Sequence, residues 1–415
     1  MITIVFSIIR CARADFSPDA TVPDNGYIYK ATWNKSGDYI FVASSGEKVL
    51  LTVFGSCDNE TIKRAECAEF AVIKCKIRPV KDNDYGRYLM SRGVGFSAYA
   101  TWDEIEFTEN GSSGSGGAFV MRFFAGLRYD IRTRLVEIMG SKYAGVAFAV
   151  MTGSDCMMED NVKDDFSDAG ILHVTAVSGM HVAMMMKPVA LLSRNRFMGY
   201  KARSVFKIIA AVFFMFLTDF SHSVVRAVLM FLYAQSGKIF DRPALLSNGI
   251  YFAAIVQMIH NPFVIYSVGF LLSYASVLSI CYVEPLLPIN GKYTSSLRTG
   301  IAVNIGLVPL LMYFFGKISL VGIFINSVAG FFSGGICICG YLCGIFSLNV
   351  CGYLCAFFTK ALSLLARAAS NAPPPFGAMN ICIENVAVVL GIYAGLIIVV
   401  ALMWKRRGRK GVVQL

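Results

Sequence analysis

The feature that most constrains this chain is a succession of apolar stretches after residue 170, near 172–192, 206–220, 223–236, 244–260, 262–283, 298–315, 318–346, 349–368 and 386–404. Runs of this kind place backbone in lipid, where only helices or closed barrels satisfy every N–H and C=O. Several are shorter than the roughly 20 residues that a straight crossing takes, so re-entrant or broken helices are expected among them. Composition agrees. Apolar residues make up 56% of the 415 and charged residues 16%, against roughly 45–50% and 25% in soluble domains. Mean hydropathy is +0.58.

The first 120 residues are different. Short runs of β-type residues, YIYKATW at 27–33, DYIFVAS at 38–44, EKVLLTVFG at 47–55, EFAVIKCKI at 69–77 and VGFSAYATW at 94–102, are separated by Gly, Asn and Asp. That rhythm predicts a small antiparallel barrel or sandwich. The expected fold class is therefore a polytopic α-helical membrane protein with a small N-terminal β-barrel domain at 13–110, and a flexible Gly/Ser linker at 111–118. Arg122, Arg128, Arg132 and Arg134 among apolar residues predict interfacial amphipathic helices over 119–155. A transmembrane domain covers 166–404, and a basic tail 405–415. The apolar run at 1–9 is too short to span, and it lacks the basic flank of a signal peptide.

Charge follows the same division. Residues 13–120 hold 12 Lys+Arg and 15 Asp+Glu, a balance of −3; residues 121–415 hold 25 and 12, a balance of +13; Arg10 completes the total of +11. Basic residues crowd one loop (Arg194, Arg196, Lys201, Arg203, Lys207) and the tail (Lys405, Arg406, Arg407, Arg409, Lys410). Both are expected on the cytoplasmic side, which puts the β domain outside. Of the 12 cysteines, eight lie in or beside apolar runs as small buried residues. Cys57, Cys67 and Cys75 fall in the polar domain. They can supply one disulfide in an oxidising compartment, Cys57–Cys67 being the candidate, although spacing alone does not choose the pair.

Polar residues at membrane depth are the candidate site. His173 and His181 flank Ser178 in HVTAVSGMHVAMM, a Gly-containing patch where a membrane helix is expected to break and line a cavity. A serine beside two histidines also admits a nucleophile-and-base reading, with Asp219 as the distant acid. Asp219, His222 and Arg226 stand in or at the mouth of the membrane. Arg226 can pair with Asp219 as a structural tie, attract phosphate in a conduit, or do both. Ser273 and Tyr274 are expected to make interhelical hydrogen bonds. There is no P-loop, hence no ATP hydrolysis by this chain. Four scattered histidines make no metal cluster, and no cofactor is expected. The polar domain has no basic–aromatic stripe of the kind that grips single strands.

Four ordered motifs of the membrane region carry a resemblance. FSDAGILHVTAVSGMHVAMM at 166–185, VVRAVLM at 224–230, NPFVIYSVGFLLSYASVLSI at 261–280 and the helix pair at 303–332 resemble those of the ComEC/Rec2 family of competence proteins; YGRYLMSRGV at 85–94 is similar to the end of that family's oligonucleotide-binding-fold (OB-fold) domain. The resemblance implies a non-enzymatic channel passing single-stranded transforming DNA through a bacterial cytoplasmic (inner) membrane. It marks His173, Ser178, His181, Arg226 and Ser273 as motif positions; with Asp219 they are the expected DNA path. Single-stranded DNA and the lipid bilayer are the expected partners, together with a separate DNA receptor, a nuclease and a cytoplasmic ATPase or helicase. Many members continue into a metallo-β-lactamase-like domain, whereas this chain ends at Leu415, so the nuclease is expected to be another protein. The family's usual leading transmembrane helices are expected to be missing or reduced to residues 1–9. A small-solute or lipid transporter, or a scaffold for competence partners, would use the same membrane domain.

Overall fold

The computed structural model describes residues 25–29, 38–43, 47–67, 69–107, 116–193, 199–288, 295–371, 378–380, 383 and 385–407. The run at 1–9, residues 111–115 of the linker, Arg194, Arg196, Arg409 and Lys410 lie outside them. Strands β1 (Asn25–Tyr29), β2 (Asp38–Ala43), β3 (Lys48–Phe54), β4 (Phe70–Ile73), β5 (Ile77–Pro79), β6 (Val94–Thr101) and β7 (Ile105–Phe107) form one sheet, with helices α1 (Asn59–Glu66) and α2 (Asp84–Ser91) between them. The membrane region comprises α3 (Gly116–Thr152), α4 (Asp160–Asp168), α5 (Gly179–Leu192), α6 (Tyr200–Leu217), α7 (His222–Ile239), α8 (Leu246–His260), α9 (Val268–Tyr282), α10 (Ser295–Phe314), α11 (Leu320–Phe346), α12 (Asn349–Ser370) and α13 (Val386–Arg407). A short ribbon pairs β8 (Lys317–Ser319) with β9 (Ala378–Asn380).

The sheet is open, which corrects the expected barrel. Its order is β5-β6-β3-β2-β1-β4-β7, leaving β5 and β7 as edges. Each edge has three residues, and β5 ends on Pro79, which has no N–H to offer a closing strand. One pair, β3 with β6, is parallel rather than antiparallel. The central strands read as nearly unbroken apolar runs because both faces are covered. Val49, Leu51 and Val53 point into one cluster with Phe41 and Ala65 of α1, while Leu50 faces Ile40, Leu89 of α2 and Ala125 of α3. Cys57 and Cys67 are free thiols, so no bond joins them. Burial raises the pKa of each above the ordinary thiol value.

The sheet unit sits on the helices through specific polar contacts. Asn261 Nδ2 donates to Met90 O and Ser91 O at 2.7 and 2.9 Å, occupying carbonyls at the C-terminal end of α2. The Arg87 guanidinium stacks 5.4 Å above the Tyr266 ring. Arg132 of α3 makes a forked salt bridge with Glu66, one arm at 2.8 Å. Arg122 reaches Glu69, Arg128 donates to Phe216 O at 3.2 Å, and Arg134 bonds Ser347. All four arginines of α3 therefore have polar partners within the protein.

Gly140 breaks α3 with φ 77° and ψ 162°, a conformation that costs glycine little. Beyond it, Ala144 and residues 146–151 are buried against α11 and α12; Tyr341 Oη donates to Met151 O at 2.5 Å. Among the described residues, five helices are long and apolar enough to cross a membrane: Phe119–Thr152, Val268–Leu286, Val328–Phe346, Asn349–Ser370 and Val386–Arg406. The chain is a mostly helical, multi-pass membrane protein.

The Glu66–Arg132 bridge is only slightly exposed, so removing one partner strands the other. Arg132→Ala is expected to cost about 3 kcal/mol, with Glu66→Gln in the same chain recovering part of the loss. Thermal midpoints of the four chains of this cycle in detergent micelles measure it; strictly additive losses would show that the pair is not coupled.

Candidate functional site

The polar residues of the membrane region converge where α5, α7 and α9 meet. Helix α5 begins after Ser178, whose backbone is extended. Its N–H donates to His181 Nδ1 at 3.1 Å, and its Oγ lies 3.1 Å from the same nitrogen. Histidine thus takes the place that Glu or Gln holds in the usual capping box. Because Nδ1 accepts from the backbone, the proton of neutral His181 belongs on Nε2. That atom is fully buried without a hydrogen-bond partner.

Arg226 lies one turn into α7 and is 5% exposed. Its Nε donates to Ser273 Oγ of α9 at 2.7 Å, and Ser273 Oγ is 2.8 Å from Ser223 Oγ. Nη1 reaches Met230 Sδ at 3.5 Å, and the guanidinium lies 5.8 Å from the centre of the Tyr274 ring. Among the described residues no carboxylate forms an ion pair with Arg226. The positive charge rests on two serines, a thioether and a π face. A charge held so poorly is costly in a low-dielectric interior.

The expected pair of Arg226 with Asp219 is not formed. Asp219 and Phe220 adopt left-handed φ of 50° and 53° in the turn between α6 and α7, a strain on the order of 1–3 kcal/mol per residue. The turn lies outside the periodicity of α7, so a seven-residue spacing does not bring Asp219 onto the face of Arg226. Asp219 Oδ2 is buried and unpartnered. His173 is exposed in a short turn before α5 and makes no hydrogen bond to Ser178. The structure thus joins Ser178 to His181 and Ser273 to Arg226, and hydrogen-bonds neither His173 nor Asp219 to either pair. No carboxylate bonds His181 among the described residues, so the nucleophile–base–acid relay is not assembled.

Two contributors escaped the sequence reading. Ser223 stands three positions before Arg226, on the same face of α7, and that spacing was the available signal. Gly179 matters for its missing side chain: a methyl there would sit 3.1 Å from Arg226 Nη2 and 3.5 Å from Ala227 Cβ. Among the described residues, no group of three or more His, Cys, Asp or Glu is placed to hold a metal ion.

A multi-pass membrane protein with a capped helix start facing a buried, uncompensated guanidinium is the class that fold and site define. Residues 150–407 match the family described as Competence protein, and that match takes in every residue of this site. The chain belongs to the competence protein family. It is also similar to ComE operon protein 3 of Bacillus subtilis (strain 168), 22% identical over 243 residues, which are 58% of this chain and 31% of the relative. The matched segment spans less than a third of that relative's length. No solved structure matches the chain.

If Arg226 is retained for function and not for stability, an apolar replacement of similar length should not destabilise. Arg226→Met combined with Ser273→Ala is expected to hold or raise the thermal midpoint; a fall by about 3 kcal/mol or more would make the arginine a structural tie.

Proposed function

We propose that this chain serves DNA uptake during competence, passing one strand of incoming DNA through the membrane domain. The family supports the general role. The observation that carries the finer reading is the Arg226 guanidinium, buried among α5, α7 and α9 with hydroxyls but no carboxylate beside it. A charge of that kind attracts an anion repeated along a polymer better than it serves a neutral solute. Phosphodiesters are such anions. In this reading Ser178, His181, Ser223, Arg226 and Ser273 border the strand's path, with Asp219 and His173 further out. The chain performs no covalent chemistry and takes no cofactor.

The membrane is the bacterial cytoplasmic (inner) membrane. The sheet domain stands outside and the basic tail at 405–415 is cytoplasmic, as the loop charges direct. The acidic balance of the sheet domain makes it a weak binder of DNA. Duplex capture, removal of the second strand and pulling from the cytoplasm then fall to a receptor, a nuclease and an ATPase or helicase.

Labelled duplex DNA offered to a transformable host, whose own channel gene is replaced by this one, tests the reading. Label is expected inside as DNase-resistant single strands, falling roughly tenfold or more with Arg226→Ala at equal protein level. Wild-type uptake by the Arg226→Ala chain would remove the arginine from the path. No uptake by the native chain, with protein in the membrane and host partners matched, would favour a solute transporter instead.

A further inference from the structure

We infer that the first turn of α5 and the guanidinium of Arg226 together form an oxyanion cradle that takes a single phosphodiester group. A helix start leaves its first N–H groups without intrahelical partners and carries about half a positive charge. In α5 these are the N–H groups of Gly179 and Met180, and among the described residues neither donates to any acceptor. Ser178 N–H is already committed to His181 Nδ1, which fixes the turn that presents the other two.

The second observation is independent of the helix. Arg226 is nine-tenths buried or more, its Nε and Nη1 are engaged, and its Nη2 makes no hydrogen bond. That free nitrogen is aimed at the start of α5: a Cβ on Gly179 would lie 3.1 Å from it. Two positive groups therefore lie side by side, so close that a Cβ at Gly179 would crowd Nη2, and among the described residues no carboxylate pairs with Arg226. Left empty, the arrangement is repulsive; an oxyanion between them receives two backbone donors and one charge-assisted donor. Gly179 and Met180 are both accessible, so the site is not sealed. His181 is a positioning residue here, acting through the cap and not on the anion.

The cradle rests on the conduit reading for one thing, the source of the oxyanion, which we assign to the backbone of the passing strand. A phospholipid headgroup shares the chemistry, and the test separates the two. The full chain, purified in maltoside micelles free of phospholipid, is titrated with inorganic phosphate and with a short oligothymidylate carrying either phosphodiester or neutral methylphosphonate linkages. Thermal midpoint shifts report binding. Phosphate and the phosphodiester strand are expected to stabilise, and the methylphosphonate strand much less. Arg226→Gln is expected to weaken phosphate roughly tenfold or more. Gly179→Ala, which alters no charge, should weaken it several-fold by crowding Nη2. His181→Gln, able to accept the same Ser178 N–H, should bind like the native chain, whereas His181→Ala should bind less well.

Equal binding of both strand types, or phosphate shifts untouched by Arg226→Gln and Gly179→Ala, overturns the cradle. Displacement of phosphate by added phosphatidylglycerol, with no competition from the oligonucleotide, keeps the cradle and overturns the strand as its source. The uptake assay is separate. Phosphate binding without DNA entry removes the conduit reading alone; DNA entry with no phosphate response removes the cradle alone.

Discussion

Backbone groups within a bilayer find no water, so each place where a helix stops must be satisfied from inside the protein. The chain does this at its visible breaks. Thr218 folds back on Phe214 O, and Asp219 and Phe220 donate to Phe216 O and Met215 O where α6 ends. Asn261, between α8 and α9, uses its amide nitrogen on the last carbonyls of α2 and its amide oxygen on Phe263 N–H. Ser178 and His181 cap α5 reciprocally. Thr218, Asn261, Ser178 and His181 are therefore accounted for as terminators of helices or as ties between the sheet unit and the membrane helices.

That accounting isolates what it does not explain. The arginines of α3 look as costly in sequence as Arg226, yet Arg132 has Glu66, Arg122 has Glu69, and Arg128 and Arg134 have oxygen acceptors. Arg226 shares an incomplete set of acceptors with Arg128, whose Nη2 is buried without one; the oxygen that accepts from Arg226 is Ser273 Oγ. Alanine in place of Gly179 would crowd the guanidinium, and the first turn or Nη2 would have to shift by a few tenths of an ångström. Glycine permits that close approach of Nη2 to the start of α5. In the proposed reading, the charge beside the start of α5 answers to a ligand that is negative and transient.

How much of this was legible in the sequence follows from which interactions are local. Strand positions and four of the five helices long enough to cross were readable because periodicity and apolar length are local properties, whereas Phe119–Thr152 reads in sequence as interfacial. The DYIFVA run announces a strand covered on both faces. Sheet closure was not readable. It depends on β3 meeting β6 in parallel across forty residues, and on edge strands too short to close. The helices α1 and α2 were missed because they are short, polar segments whose starts rest on the single caps Asp58 and Asn83. The Arg226–Asp219 pairing failed for a backbone reason. Seven residues is two helical turns only if the helix begins early enough, and α7 begins at His222. Ser178, His181, Arg226 and Ser273 were legible as residues but not as two pairs, because what joins α7 to α9 is tertiary.

The division of charge gives these local arguments a direction. A sheet unit with a balance of −3 adjoins a membrane region with +13, so attraction for a polyanion is concentrated in the membrane region. Surface lysines and arginines hold phosphate through interactions that salt screens over about 8–10 Å. A guanidinium 5% exposed is screened far less. On the proposed function and orientation, the acidic sheet unit would not hold a strand as a basic surface does, while the buried Arg226 would still attract it, so the strand would not be retained at the entrance.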